Sequence, residues 1–213
     1  MSDKPRILIQ LDTDRQASVF DRVVAVDAGC EHLFCYAGVT PDQVTSLIHG
    51  AIFTRGPQDL HRTAVFIGGS DVAAGELLLE AVRRAMLPDW GLRVSVLLDA
   101  NGCNTTASAA VRAAARHLAL TGTPALVLGG TGPVGQRVAR LLVREGAVVR
   151  VGSRQLARAE AVCDALRSRG GPGQLIPTST SSADELARAV EGQALIIAAG
   201  AAGVNLLPRA AWP

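Results

Sequence analysis

The chain has 213 residues, 48% of them hydrophobic but only 3% aromatic, and a formal net charge of +2. That length allows one large or two small domains, and so small a charge, with no basic run, does not imply nucleic-acid binding, so no nucleic-acid partner is expected. Cys30, Cys35, Cys103 and Cys163 match no zinc spacing and are too few for a disulfide scaffold, and no apolar run is long enough to span a membrane, so the expectation is a cytoplasmic protein with reduced thiols and no metal site.

In chain order, residues 6–11 (RILIQL) read as a first strand, followed by the acidic loop Asp12-Thr13-Asp14. Ser18 caps a helix to about residue 28, with Val19, Val23, Val24 and Val26 apolar. A second strand covers 31–36, and Pro41 opens a helix with Val44, Leu47 and Ile48 on one face. A third strand, 64–67, ends at Gly68-Gly69-Ser70-Asp71. The helix after it, to about residue 86, turns Leu77, Leu78, Ala81 and Val82 inward. The fourth strand, 93–99, ends in the polar loop Asn101-Gly102-Cys103-Asn104-Thr105-Thr106, and an Ala-rich helix runs to about residue 120. Strand and helix alternate, which predicts a parallel sheet, and Thr121-Gly122-Thr123-Pro124 marks a boundary between residues 1–120 and 121–213. Four more strands follow at 125–129, 147–152, 174–177 and 194–198, the last apolar on both faces. A full dinucleotide-binding domain carries about six strands. The reading here is of a domain that stops after four, with residues 206–213 as the start of a connection to a fifth.

Within the second half, the strand Leu126-Val127-Leu128 runs into Gly130-Thr131-Gly132-Pro133-Val134-Gly135, and a helix with Val138, Leu141 and Leu142 follows. Strand, turn and helix together form the context a dinucleotide fingerprint needs. The reading assigns the tight turn to Gly130, close approach of a pyrophosphate to Gly132 and close helix–strand packing to Gly135. Helix-start N–H groups and the helix dipole then face the phosphates.

The next strand, Val148-Val149-Arg150-Val151-Gly152, selects the cofactor. NAD sites place an acid about 20 residues after the glycines, for the ribose 2′-hydroxyl. Ser153 and Arg154 stand there instead, with Arg158 one turn on. A guanidinium suits a phosphate, so the expected cofactor is NADP; the alternative is a solvated arginine and a loose nucleotide preference.

Several segments together resemble the methylenetetrahydromethanopterin dehydrogenases of methylotrophic bacteria. They are Gln10-Leu11-Asp12-Thr13-Asp14, Ser18-Val19-Phe20-Asp21, Ile52-Phe53-Thr54-Arg55-Gly56 and the run from Phe66 to Glu76. Leu98 to Thr106, the glycine loop and Ala199-Gly200-Ala201-Ala202-Gly203 complete the likeness. It is strongest to the NADP-specific branch. The resemblance implies an N-terminal α/β pterin domain, a Rossmann-type nucleotide domain and a cleft between them. It implies oxidation of the methylene bridge of 5,10-methylenetetrahydromethanopterin by NADP to the methenyl cation, with the folate analogue accepted by some members. It also implies a metal-free homo-oligomer, with a trimer favoured, and places Ala199 and Gly200 with the glycine loop at the cofactor. Family members continue past the Trp212 position.

Such a reaction is a direct hydride transfer, so it needs no obligatory general base, and His32, His49, His61 and His117 are expected to be solvated or packed. What it needs is proximity and fixed negative charge near the developing cation. Strand ends in open α/β sheets supply such groups. Asp12, Asp14 and Asp99 are therefore the candidates for electrostatic support and substrate positioning, and Asn101, Asn104, Thr105 and Thr106 for binding pterin amides or the nicotinamide carboxamide. Capping of the next helix is the competing explanation for each. Lys4 and Arg55 are further candidates for an acidic substrate tail. The rival functions are another NADP dehydrogenase on the same scaffold and a non-catalytic NADP-binding remnant. A proton-transfer reaction fits poorly, because Lys4 is the only lysine.

Overall fold

The computed structural model describes residues 4–209, and its packing divides the chain between Gly102 and Cys103 into two compact units. In the first unit β1 (Ile7–Asp12), β2 (His32–Tyr36), β3 (Thr63–Gly68) and β4 (Ser95–Leu98) form a parallel sheet in the order β2-β1-β3-β4. Three helices connect them: α1 (Val19–Asp27), α2 (Val44–Phe53) and α3 (Val72–Ala85). Side chains alternate across a strand, so Ile9, Leu11, Val65 and Ile67 share one face, where they pack with Val44, Ile48 and Ile52 of α2 and Leu78 and Val82 of α3. Leu8, Gln10 and Asp12 take the opposite face.

α1 departs from expectation. Ser18 caps it, accepting from the Asp21 N–H, but the helix has no buried residue. Val19, Phe20, Val23, Val24 and Val26 are each about half exposed or more, so the apolar run does not seal a core among the described residues. Leu77, expected to point inward from α3, is 61% exposed, whereas Leu78 beside it is fully buried. On a helix these neighbours lie about 100° apart, and only one can face the sheet.

In the second unit β5 (Pro124–Leu128), β6 (Val148–Ser153), β7 (Gln174–Ser179) and β8 (Leu195–Ala198) form another parallel sheet, in the order β7-β6-β5-β8. The connections are α5 (Pro133–Arg144), α6 (Leu156–Arg167) and α7 (Ala183–Val190). Pro177 is tolerated inside β7 because β7 is an edge strand. Ser182 and Glu185 form a capping box at the start of α7, and the Arg150 guanidinium on β6 donates to the carbonyls of Arg188, Ala189 and Glu191 at its end. Two sets of helix-end orphans are thereby satisfied. β8 is the other edge among the described residues. Its Ile196, with Leu206 and Leu207, packs against Leu126, Leu128 and Leu186. Of the expected C-terminal connection, residues 210–213 lie outside the described residues.

The boundary differs from the sequence reading. α4 (Cys103–Ala114) starts within the expected polar loop and belongs to the second unit, where Ala107 and Val111 join the core of Ala139 and Leu142. The sequence placed the division at 120/121, on the turn-forming run Thr121-Gly122-Thr123-Pro124, and read Asn104-Thr105-Thr106 as part of a loop. Burial of Cys103 and Ala107 draws those residues into a helix instead.

Candidate functional site

Each sheet reverses its strand order once, between β1 and β3 and between β5 and β8. Ligands of open α/β sheets bind beyond the carboxyl ends of strands at such points. At the β5/β8 point the glycine turn sorts into separate roles. Gly129, not Gly130, takes the left-handed conformation of the turn (φ 68°). Gly130 instead lies against β6: a Cβ there would come within 2.7 Å of Val151 Cγ1, and its N–H donates to the Gly152 carbonyl at 2.9 Å. A Cβ on Gly135 would collide with the Gly129 carbonyl oxygen and lie 2.8 Å from the Gly130 Cα, so Gly135 sets the contact between helix and turn. Gly132 is different. A Cβ there meets only ordinary contacts, 3.4 Å to the Gly129 oxygen and 3.9 Å to the Ala199 oxygen, so nothing within the chain requires a glycine.

Gly132 is also the N-cap of α5 and offers no side-chain acceptor to the first turn. Pro133 has no N–H, and the N–H groups of Val134 and Gly135 precede the first intrahelical donors. These donors and the helix dipole make the turn a natural anion seat. The Thr131 carbonyl is braced by Gln136 Nε2 at 2.8 Å. Across the switch point, Ala199 donates its N–H to the Leu128 carbonyl at 2.8 Å, bringing Ala199 and Gly200 beside Gly129. At the end of β6, Ser153 is buried, and its hydroxyl accepts from the Gln155 N–H at 3.2 Å. Arg154 and Arg158 are exposed, and neither side chain makes a hydrogen bond or ion pair among the described residues.

The β1/β3 point of the first unit is acidic. Asp12 is fully buried; its carboxylate accepts from the Asp14 N–H (2.9 Å), the Ser18 N–H (3.0 Å) and Gln10 Nε2 (3.3 Å). It therefore shapes the loop after β1 and is closed to a ligand. Asp14 uses both oxygens on Ser70, one on its N–H (3.0 Å) and one on its hydroxyl (2.8 Å), and so ties the ends of β1 and β3 together. Asp71 caps α3 by accepting from the Ala74 N–H. Asp99 follows β4 and is partly exposed, and Asn101 beside it adopts a left-handed conformation (φ 53°) that asparagine tolerates better than most residues.

Asp21 was missed by the sequence reading. It sits on α1, where it resembles a solvated helix acid, yet a Cβ on Gly68 would lie 3.2 Å from its Oδ2 and 3.4 Å from Asp12 Oδ2. Burial raises its carboxyl above the ordinary range; a side-chain hydrogen bond with Ser18 opposes this, and the charges of Asp12 and Asp99 add to the rise. The ionised form is therefore disfavoured in the fold, so the stability cost grows as pH rises from about 4 through the folded value. Asp21→Asn should raise the melting temperature more at pH 8 than at pH 4. Equal shifts at the two pH values would show that the fold does not raise the Asp21 carboxyl.

Other candidates separate. Asn104 lies in the first turn of α4, and its Oδ1 accepts from Arg137 Nε at 2.7 Å; Thr105 and Thr106 are exposed on the same helix. Arg55 Nη1 donates to the carbonyls of Pro5 and Arg62, at the opposite end of the first sheet from the acidic loops.

Residues 19–101 match the family model described as methylene-tetrahydromethanopterin dehydrogenase, N-terminal. The bifunctional protein MdtA of Methylorubrum extorquens is 44% identical over 211 residues, covering 97% of this chain and 72% of that protein. The NAD(P)-dependent methylenetetrahydromethanopterin dehydrogenase of the same organism is 32% identical over 209 residues, covering 94% of this chain and 69% of its own length. The chain belongs to the methylenetetrahydromethanopterin dehydrogenase family. Among solved structures, the dipicolinate synthase A chain of Bacillus subtilis aligns with 99% of this family member and 76% of its own chain, at 14% identity and a TM-score of 0.43, a likeness too distant to bear on function.

Proposed function

We propose that this family member is an oxidoreductase of one-carbon metabolism that moves a hydride from 5,10-methylenetetrahydromethanopterin to NADP and leaves the methenyl cation. The observation that carries the cofactor half is Gly132, a helix-capping glycine with room for a Cβ, at the switch point of a sheet in nucleotide-binding strand order. The donor set fits the cofactor. The first-turn N–H groups after Gly132 would hold the pyrophosphate, Arg154 the 2′-phosphate, and the Ala199-Gly200 backbone the nicotinamide end. NADP supplies the hydride acceptor.

On the first unit, Asp12 and Asp14 fix the loop, while Asp99, with Asp21 behind it, supplies negative charge for a substrate that becomes cationic. Asn101 offers a polar group that a pterin amide needs, and Asn104, Thr105 and Thr106, at the start of α4 in the second unit, offer theirs to the nicotinamide carboxamide. A fixed charge acting over about 10 Å at an effective dielectric near 20 is worth about 1.7 kcal/mol, a little over tenfold in rate. Asp99→Asn should therefore lower kcat about tenfold at constant NADP affinity. The assay is NADPH formation with methylenetetrahydromethanopterin, beside calorimetry with NADP alone. NADP binding without any turnover would identify a non-catalytic remnant, and an unchanged kcat in the variant would reduce Asp99 to a loop residue.

The protein is further proposed to be a cytoplasmic homo-oligomer, a trimer on the family resemblance. Free cysteines fit a reducing compartment, and the uncovered valines and Phe20 of α1 fit a surface that another subunit covers. Among the described residues no helix is long and apolar enough to cross a membrane. Light scattering reads the subunit number.

A further inference from the structure

We propose that the first unit carries a second small-molecule site, for a flat, mostly apolar monoanion such as an aryl carboxylate, in the groove between β2 and α2. The groove encloses about 310 Å³ and is built wholly within the first unit, from β1, β2, the start of β3 and α2. An apolar cavity of about 150 Å³ holds one benzene, so this one is sized for about two fused rings. Four independent features point to an occupant.

Aromatics are scarce in this chain, with four Phe, two Trp and one Tyr, yet Phe34 and that single Tyr, Tyr36, stand two residues apart on one face of edge strand β2. They are 49% and 43% exposed, an open wall for a ring to pack on. Gly50 lies inside α2 on the facing wall. Glycine destabilises a helix interior relative to alanine, and a Cβ here would meet nothing within 4 Å. Packing does not ask for this glycine; its effect is to keep the groove open.

The polar groups are four hydroxyls and one guanidinium, and the Ser46 and Thr54 hydroxyls already donate to the Gln43 and Ala51 carbonyls. Thr63 is 4% exposed, lines the groove, and its hydroxyl oxygen has no partner, which is costly for a buried polar atom. Arg55 is the only charged residue lining the groove, and no carboxylate lines it. Its Nη1 is committed to the Pro5 and Arg62 carbonyls, which orients the guanidinium, while Nε and Nη2 make no hydrogen bond among the described residues. An oriented, partly unused guanidinium beside an apolar wall suits a carboxylate carried on a ring. A pterin, polar on most of its edges, would leave most of its groups unpaired here. The site is therefore separate from the proposed substrate and does not depend on that reading.

The test is calorimetry of the full chain with 2-naphthoate and with its neutral analogue 2-naphthylmethanol. The expected result is saturable one-to-one binding of the acid, about tenfold tighter than the alcohol. Gly50→Ala should raise the melting temperature by about 2–4 °C, since the helix gains and nothing is displaced. Gly50→Leu, which fills the groove, should weaken naphthoate at least tenfold, and Thr63→Val about fivefold. No saturable binding by the wild-type chain overturns the proposal, as does equal affinity for acid and alcohol or undiminished binding in Gly50→Leu. Dissociation of an oligomer by Gly50→Leu, seen in light scattering, also overturns it and makes the occupant a second copy. Should Gly50→Leu fail to fold, the comparison of acid with alcohol and the Thr63→Val variant still decide.

Discussion

Gly132→Val should cut NADP affinity at least a hundredfold while the protein still folds, and Gly135→Val, three residues on, should cost the second unit its fold. The two glycines belong to one motif, but their surroundings differ. At Gly132 a Cβ finds its nearest neighbour 3.4 Å away, and the backbone (φ −79°, ψ 168°) is one that any residue adopts. Loss of a glycine N-cap to an apolar residue costs about 1 kcal/mol. The methyls of valine would then stand where the pyrophosphate must approach the turn. At Gly135 even the first carbon strikes the Gly129 carbonyl, and the Gly130 Cα is 2.8 Å away. Both obstacles are backbone, and the helix can retreat only by opening the core of Val138, Leu142 and Val127. Overpacking typically costs about 1–3 kcal/mol and occasionally more, and a clash of backbone with backbone belongs at the upper end. Thermal melts and NADP calorimetry on both variants check the pair. Full NADP affinity in a folded Gly132→Val protein would remove the turn from the cofactor site. A well-folded Gly135→Val would show that the helix has slack that the packing does not reveal.

The same comparison shows what the sequence could and could not disclose. All eight strands among the described residues were legible, because parallel strands are short apolar runs, even where, as in β2, β4 and β8, no residue is fully buried, and each run here is separated from the next by a helical period. The fingerprint was legible as a motif but not in its division of labour. That the tight turn falls at Gly129 depends on where β5 stops pairing, and that Gly130 packs on Val151 depends on a strand more than fifteen residues away. Asp12 and Asp14 were found as acids at a strand end, while their hydrogen bonds were not: the Ser18 N–H reaches Asp12 only through the folded course of the loop after β1, and Ser70 meets Asp14 only when β1 and β3 are paired. Asp21 gave a faint signal in the Ser18-x-x-Asp21 spacing of a helix start. Its partial burial beside Asp12 comes from Gly68, which has no side chain to hold it away. The start of α4 was hidden by composition: Asn and two Thr resemble a loop until the buried face of Cys103, Ala107 and Val111 is counted.

Arg154→Ala should weaken NADP binding by about 1.5–3 kcal/mol, roughly ten- to a hundredfold, and leave NAD almost unaffected. The residue follows directly on β6, whose buried Ser153 hydroxyl is already held by the Gln155 N–H. Ser153 thus fixes the course of the chain, and Arg154 is the exposed cation nearest the strand end, with no acid bound to it among the described residues. A guanidinium free of competing carboxylates can close a bidentate pair with a phosphate, whereas a hydroxyl in the same place offers one weaker bond. Discrimination therefore rests on the phosphate and not on the shared parts of the two nucleotides. Exposure sets the upper bound, because solvent and salt screen the pair; raising ionic strength should narrow the NADP advantage of the wild-type chain and leave the variant unchanged. Parallel titrations with NADP and NAD at low and high salt measure all four quantities. Equal losses for both nucleotides in Arg154→Ala would place the 2′-phosphate reader elsewhere, with Arg158, one helical turn further along α6, as the residue to change next.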